Sequence, residues 1–130
     1  MPRALWQKLG YTSATVAFLD DAPDPYLELV APLPAGVTFT DDLDARPTFV
    51  HLFTTDRAEL APALAIYADA IARDGMIWVS WPKGAARMAT DMSGDAVRAA
   101  ALPLGLVDVK VCSVDATWTA LKLVIRKALR

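Results

Sequence analysis

Three segments set the limits on what this chain can become. Residues 15–20, 48–53 and 76–81 are apolar, β-branched or aromatic at nearly every position, with no alternation of polar and apolar side chains. A strand with one wet face alternates with a period of two. An unbroken run instead marks a strand covered on both faces, as in a parallel sheet held between helical layers. Between the second and third runs, Leu60, Leu64, Tyr67 and Ile71 recur at spacings of four, three and four and draw one apolar stripe down a helix over about residues 57–72. Asp56 stands at its N-cap with Glu59 three residues on, the pattern of a capping box. Pro62 predicts an irregular first turn or a kink.

The remaining elements follow from punctuation. Leu5 to Leu9 make a short helical turn that Gly10 closes in the left-handed conformation. Residues 25–31 read as a short helix with Leu27, Val30 and Ala31 on one side, cut off by Pro32 and Pro34, and residues 37–40 as a short strand. After residues 76–81, Pro82 stops the strand and a loop runs over 83–92. Ser93 caps a helix over 95–102, closed near Pro103 and Gly105. Residues 106–114 and 118–127 are strands joined across Asp115-Ala116-Thr117, a connection short enough only for an antiparallel hairpin. The expected fold is therefore α/β, a three-layer Rossmann-like sandwich whose mostly parallel sheet ends in an antiparallel C-terminal hairpin, with residues 1–130 as one domain.

Composition narrows the function classes. At 55% hydrophobic residues the chain is no disordered tail, yet no apolar run approaches the roughly 18 residues of a membrane span. The first residues lack the pattern of a secretion signal, and one cysteine, Cys112, makes no internal disulfide, so a cytoplasmic protein is expected. One His and one Cys leave little for the common nucleophile and zinc chemistries. Charge is uneven: no basic residue lies between Lys8 and Arg46, where seven carboxylates fall, while Lys110, Lys122, Arg126, Lys127 and Arg130 face only Asp115 at the end. Opposite signs on two regions favour self-complementary packing or two distinct faces over a nucleic-acid footprint.

The segment Gly75-Met76-Ile77-Trp78-Val79-Ser80-Trp81-Pro82-Lys83, with the ending Gly105-Leu106-Val107-Asp108 and Asp115-Ala116-Thr117-Trp118, resembles an uncharacterised family of small bacterial Rossmann-like proteins. That resemblance implies a fold and almost no chemistry. More distantly, the back half is similar to class I S-adenosylmethionine-dependent methyltransferases, whose sheet also ends in an antiparallel hairpin. Those enzymes follow their first strand with a glycine-rich turn. This chain has Asp20-Asp21-Ala22-Pro23-Asp24-Pro25 there, without a glycine. Prolines remove amide donors and carboxylates repel phosphate, so a dinucleotide or nucleoside triphosphate is disfavoured at this turn. The cofactor expectation is none. S-adenosylmethionine, a sulfonium without phosphate, is repelled less but still disfavoured.

In an open α/β sheet, ligands sit beyond the carboxyl ends of the parallel strands. Those ends offer Thr54 and Thr55 as hydrogen-bonding groups, Trp81 as a flat apolar face and Lys83 as a cation, a set suited to a planar anionic ligand. The plainer reading packs Trp81 under the loop after it and leaves Lys83 solvated. Asp20 and Asp21, adjacent on a strand and so pointing to opposite faces, fit capping or solvation better than a metal pair. His51 fits a hydrogen-bonded core imidazole, Cys112 a small buried hydrophobe, Trp78 and Trp118 packing, and Asp115 its own turn. No catalytic or metal residue is expected. The leading expectation is a non-catalytic module acting through protein partners or self-association. The alternative is small-molecule binding at the strand ends, as a reduced methyltransferase-like protein.

Overall fold

The computed structural model describes residues 3–130; Met1 and Pro2, part of the expected domain, lie outside the described residues. Six strands form one sheet in the order β2-β1-β3-β4-β6-β5: β1 (Val16–Asp20), β2 (Thr38–Phe39), β3 (Phe49–Phe53), β4 (Met76–Pro82), β5 (Leu106–Ser113) and β6 (Trp118–Ile125). β1 pairs in parallel with β2 and β3, and β3 with β4. β6 runs antiparallel to β4 on one side and to β5 on the other, so the hairpin closes one edge and β6 is the single reversed strand.

Helices cover both faces. α3 (Arg57–Ala70) and α4 (Gly94–Ala101) lie on one, α1 (Leu5–Leu9) and the short α2 (Tyr26–Leu29) on the other. Leu60, Leu64, Tyr67 and Ile71 are all buried, as a stripe facing a sheet must be. All five residues of β3 are buried, which explains why that segment lacks alternation. Gly10 closes α1 at φ 89°, with its amide on the carbonyls of Trp6 and Gln7.

Several local expectations are corrected. α3 runs through Pro62 without interruption: Pro62 and Ala58, the residue whose carbonyl loses its partner, are both exposed, so that acceptor is not buried without a partner. Asp56 caps the helix, but the reciprocal capping box does not form. The Asp56 carboxylate accepts from the Ala58 amide at 2.8 Å, but the Asp56 amide donates to Thr54 Oγ1 at 3.1 Å, which displaces Glu59. In α2 the buried residue is Tyr26, with Val30 just beyond, while Leu27 points to solvent. No helix among the described residues is long and apolar enough to cross a membrane.

Candidate functional site

The carboxyl ends of β1, β3 and β4 are where ligands are expected, and the sequence places Asp20, Asp21, Thr54, Thr55, Trp81 and Lys83 there. At the first turn, the Asp20 carboxylate accepts from the Tyr67 hydroxyl of α3, a partner that neither capping nor solvation anticipates. Burial and the facing Asp20 raise the Tyr67 pKa, so the phenol stays protonated and keeps donating. Asp21 takes a left-handed backbone at φ 56°, the conformation a glycine would adopt most cheaply. The chain turns there on an aspartate and two prolines.

At the second turn, Thr54 is committed to its own loop. Its hydroxyl accepts from the Asp56 amide and donates to the Asp56 carbonyl at 3.3 Å, and its amide donates to the Ser80 carbonyl. The Thr55 carbonyl accepts from Thr90 Oγ1 at 2.7 Å, and the Arg57 amide donates to Asp91 Oδ1 at 2.7 Å. The loop after β4 thus folds back over the start of α3 and takes the Arg57 amide, while the Ala58 amide is taken by the Asp56 carboxylate, so neither is left for a ligand. Trp81 is half-buried and packs against the core beneath α3 and α4. Lys83 points the other way, its ammonium donating to Ser113 Oγ and the Asp115 carbonyl, both at 2.6 Å. Thr54 and Thr55 therefore belong to the α3 corner and Lys83 to the hairpin.

An open cleft of about 620 Å³ lies instead at the carboxyl ends of β1 and β2, lined by Phe18, Leu19, Leu27, Phe39, Thr40 and Asp41. It exists because β2 is two residues long: the strand stops at Phe39 and leaves the last residues of β1 without a neighbour on that side. Leu27 is 57% and Phe39 43% exposed at its lips, large apolar surface that water does not favour. The Thr40 hydroxyl holds the next turn by accepting from the Asp42 amide, and the Asp41 carboxylate makes no hydrogen bond among the described residues. The signal for this cleft is present in the sequence as Phe39 on a strand too short to bury it.

A further cluster sits inside the opposite core. Tyr11 and Tyr26 share a hydroxyl–hydroxyl bond of 2.7 Å, Tyr26 reaches His51 Nδ1 at 2.9 Å, and His51 Nε2 lies 2.7 Å from Ser80 Oγ. A serine and an imidazole in contact are the parts of a nucleophile–base pair, which the sequence reading does not find because the two lie 29 residues apart. Both are fully buried. Burial pushes the His51 pKa down to about 3, so the ring is neutral and shut off from any substrate. It is a core imidazole. Cys112 is buried with its thiol pKa raised by burial, Trp78 is fully buried with its indole N–H on the Leu9 carbonyl, and the Asp115 carboxylate accepts from the Thr117 and Trp118 amides at 2.8 Å. Among the described residues no group of three His, Cys, Asp or Glu could hold a metal ion.

No protein-family model and no curated protein matches the chain. Solved structures do, among them several methyltransferases. Magnesium protoporphyrin IX methyltransferase from Synechocystis, with S-adenosylmethionine bound, is 13% identical, with 85% of this chain and 69% of that one covered and a TM-score of 0.53. A TehB-like S-adenosylmethionine-dependent methyltransferase from Corynebacterium glutamicum is 12% identical over 95% and 86% of the two chains, at a TM-score of 0.57. An O-methyltransferase family 2 protein from Planctomyces limnophilus, in complex with apigenin, is 11% identical over 95% and 53%, at 0.62. In another structure of the Synechocystis enzyme, this chain spans 54% of the length. The chain has the methyltransferase-like Rossmann fold.

Proposed function

We propose that the protein binds a small molecule with an apolar body and a positive charge in the cleft at the carboxyl ends of β1 and β2, and that S-adenosylmethionine is the prototype ligand. The observation that carries this reading is the cleft itself: exposed Phe39 and Leu27 flank an unengaged carboxylate, Asp41, beyond the ends of two parallel strands. The charge around it selects the ligand. Asp20, Asp21, Asp24, Glu28, Asp41, Asp42 and Asp44 lie between Lys8 and Arg46 with no cation among them, so a polyphosphate is repelled and a sulfonium or ammonium attracted.

The cleft residues fit such a ligand in part. Phe39 and Leu27 offer apolar faces to a nucleobase, and Asp41 accepts from hydroxyl or ammonium donors. The turn after β1 has no glycine to let the backbone approach, so binding rests on the side chains of α2 and β2. When bound, S-adenosylmethionine supplies a transferable methyl group; the part assigned to this chain is holding it.

Thermal unfolding with S-adenosylmethionine, its uncharged-sulfur analogue S-adenosylhomocysteine, and ATP tests the proposal. A ligand at a hundred times its dissociation constant adds about 2.7 kcal/mol, or about 10 °C in Tm for a chain of this size. The expected order is S-adenosylmethionine above S-adenosylhomocysteine, with no shift from ATP. Asp41→Asn and Phe39→Ser should both reduce the shift, while Lys83→Ala leaves it unchanged. Absence of any S-adenosylmethionine shift at millimolar concentration, or equal binding by the Asp41→Asn protein, removes the reading.

A further inference from the structure

The other end of the sheet carries the opposite charge. A cleft of about 500 Å³ between α1 and β5 is lined by Arg3, Lys8, Lys110, Val111, Cys112 and Ser113: three cations, a hydroxyl and no carboxylate. The cations are gathered against their own repulsion. Lys110 and Lys122 stand opposite each other in the β5–β6 register, an arrangement that destabilises a sheet when both are charged. No ion pair within 4.0 Å among the described residues relieves them, since the two salt bridges there both belong to Arg98, with Asp95 and Asp108. Burial and the facing Lys110 hold Lys122 below the usual lysine range, and the ammoniums of Lys8, Lys110 and Lys83 all pull on the Cys112 thiol, although its burial outweighs them.

The donors are also set in place. The Lys110 ammonium lies 6.0 Å over the buried Trp78 ring, which keeps it on the α1 side of the sheet. Ser113 Oγ accepts from the Lys83 ammonium at 2.6 Å, and that ammonium is fixed in turn by the Asp115 carbonyl. That hydroxyl's own proton is directed at the Asp115 carbonyl, 3.5 Å away, so Ser113 is engaged as acceptor and as donor and serves to hold Lys83. We infer that the cleft between α1 and β5 is a binding site for a small anion of the phosphate class, held by Arg3, Lys8 and Lys110. A tetrahedral dianion offers acceptors to all three cations at once and neutralises most of the clustered charge. Nucleic acid fits less well, because no aromatic side chain lines the cleft to stack a base. This site is separate from the one proposed for a cationic ligand.

The test is a titration of the isotopically labelled protein with inorganic phosphate, followed by amide chemical shifts and Tm, against sodium chloride at matched ionic strength. Saturable shifts should appear at Lys8, Val111, Cys112 and Ser113, with none at Phe39, Thr40 or Asp41, so that the two sites stand or fall separately. Lys110→Met should weaken phosphate at least about tenfold, the effect of one charge-assisted hydrogen bond. The same change should raise the Tm of the phosphate-free protein by removing the Lys110–Lys122 repulsion, which a merely structural lysine would not do. Lys8→Ala, at a different element, should weaken phosphate to a similar extent. Shifts that follow ionic strength alone, or phosphate binding unchanged in both variants, overturn the site. A single-stranded oligonucleotide that binds where inorganic phosphate does not would replace it with a nucleic-acid surface.

Discussion

The two faces of the sheet are held by different physics, although β3 serves both. Val50 and Leu52 point into a core beneath α3 and α4 made of aliphatic side chains such as Leu60, Leu64, Ile77, Val79 and Leu121. Phe49, His51 and Phe53, the alternate residues of the same strand, point into a core beneath α1 and α2 where the Tyr11–Tyr26–His51–Ser80 hydrogen bonds run among stacked rings. His51 stacks on Phe53 with centroids 4.3 Å apart, and Tyr26 meets Phe53 edge-on at 5.7 Å. An apolar core needs volume and pattern. A buried polar chain needs each partner in its place, because any member left alone keeps its desolvation cost. The second face has little helix over it, α1 and α2 being five and four residues long, and its polar chain links pieces that short helices fix weakly.

The largest expected effect separates the faces by pH. The folded-state pKa of His51 is depressed to about 3 by burial, against an ordinary value of 6.5, so its contribution to stability is complete above pH 6.5 and is lost as pH falls toward 3. The slope is about 1.4 kcal/mol per pH unit and the full loss about 5 kcal/mol. Urea midpoints at pH 7, 5 and 4 should fall on this slope for the parent protein and much less steeply for His51→Phe. An equally steep fall in His51→Phe would place the acid sensitivity elsewhere.

The second effect breaks the aliphatic face. Leu64 is fully buried in the α3 stripe, and Leu64→Ala should cost about 2–5 kcal/mol with no change in pH dependence. Leu27→Ala, at a leucine 57% exposed, should cost less than about 1 kcal/mol. A chemical-denaturation series that ranks the two equally would show that the stripe does not carry the core.

How much was legible in the sequence divides along the same line. The aliphatic face announces itself through period: Leu60, Leu64, Tyr67 and Ile71 repeat at helical spacing, and unbroken apolar runs mark β1, β3 and β4. The polar chain has no period. Tyr11, Tyr26, His51 and Ser80 come from a loop, a four-residue helix and two strands, and only the register of β3 on β4 brings Ser80 within reach of the imidazole. The candidate ligand residues suffered from a related limit. Thr54, Thr55, Trp81 and Lys83 lie at the strand ends as expected, but where a side chain points depends on Asp91, Ser113 and Asp115, which arrive from distant loops. Nothing local in Trp-Pro-Lys says that the lysine turns toward the hairpin.

The smallest expected effect sharpens what the polar face requires. Ser80→Ala changes the volume of the buried site very little, so no cavity of consequence forms, but it removes the one partner of His51 Nε2. A neutral imidazole donates from one nitrogen and accepts at the other, so the loss leaves either an unpaired N–H or an unpaired lone pair in a fully buried position. The cost should be about 1–3 kcal/mol at pH 7, well above the few tenths that loss of packing alone would give. The burial that depresses the imidazole pKa is untouched, so the acid slope of Ser80→Ala should match that of the parent while His51→Phe flattens it. If calorimetry at pH 7 shows Ser80→Ala as stable as the parent, the hydrogen bond to Nε2 contributes nothing net and the aromatic packing around His51 holds this face by itself.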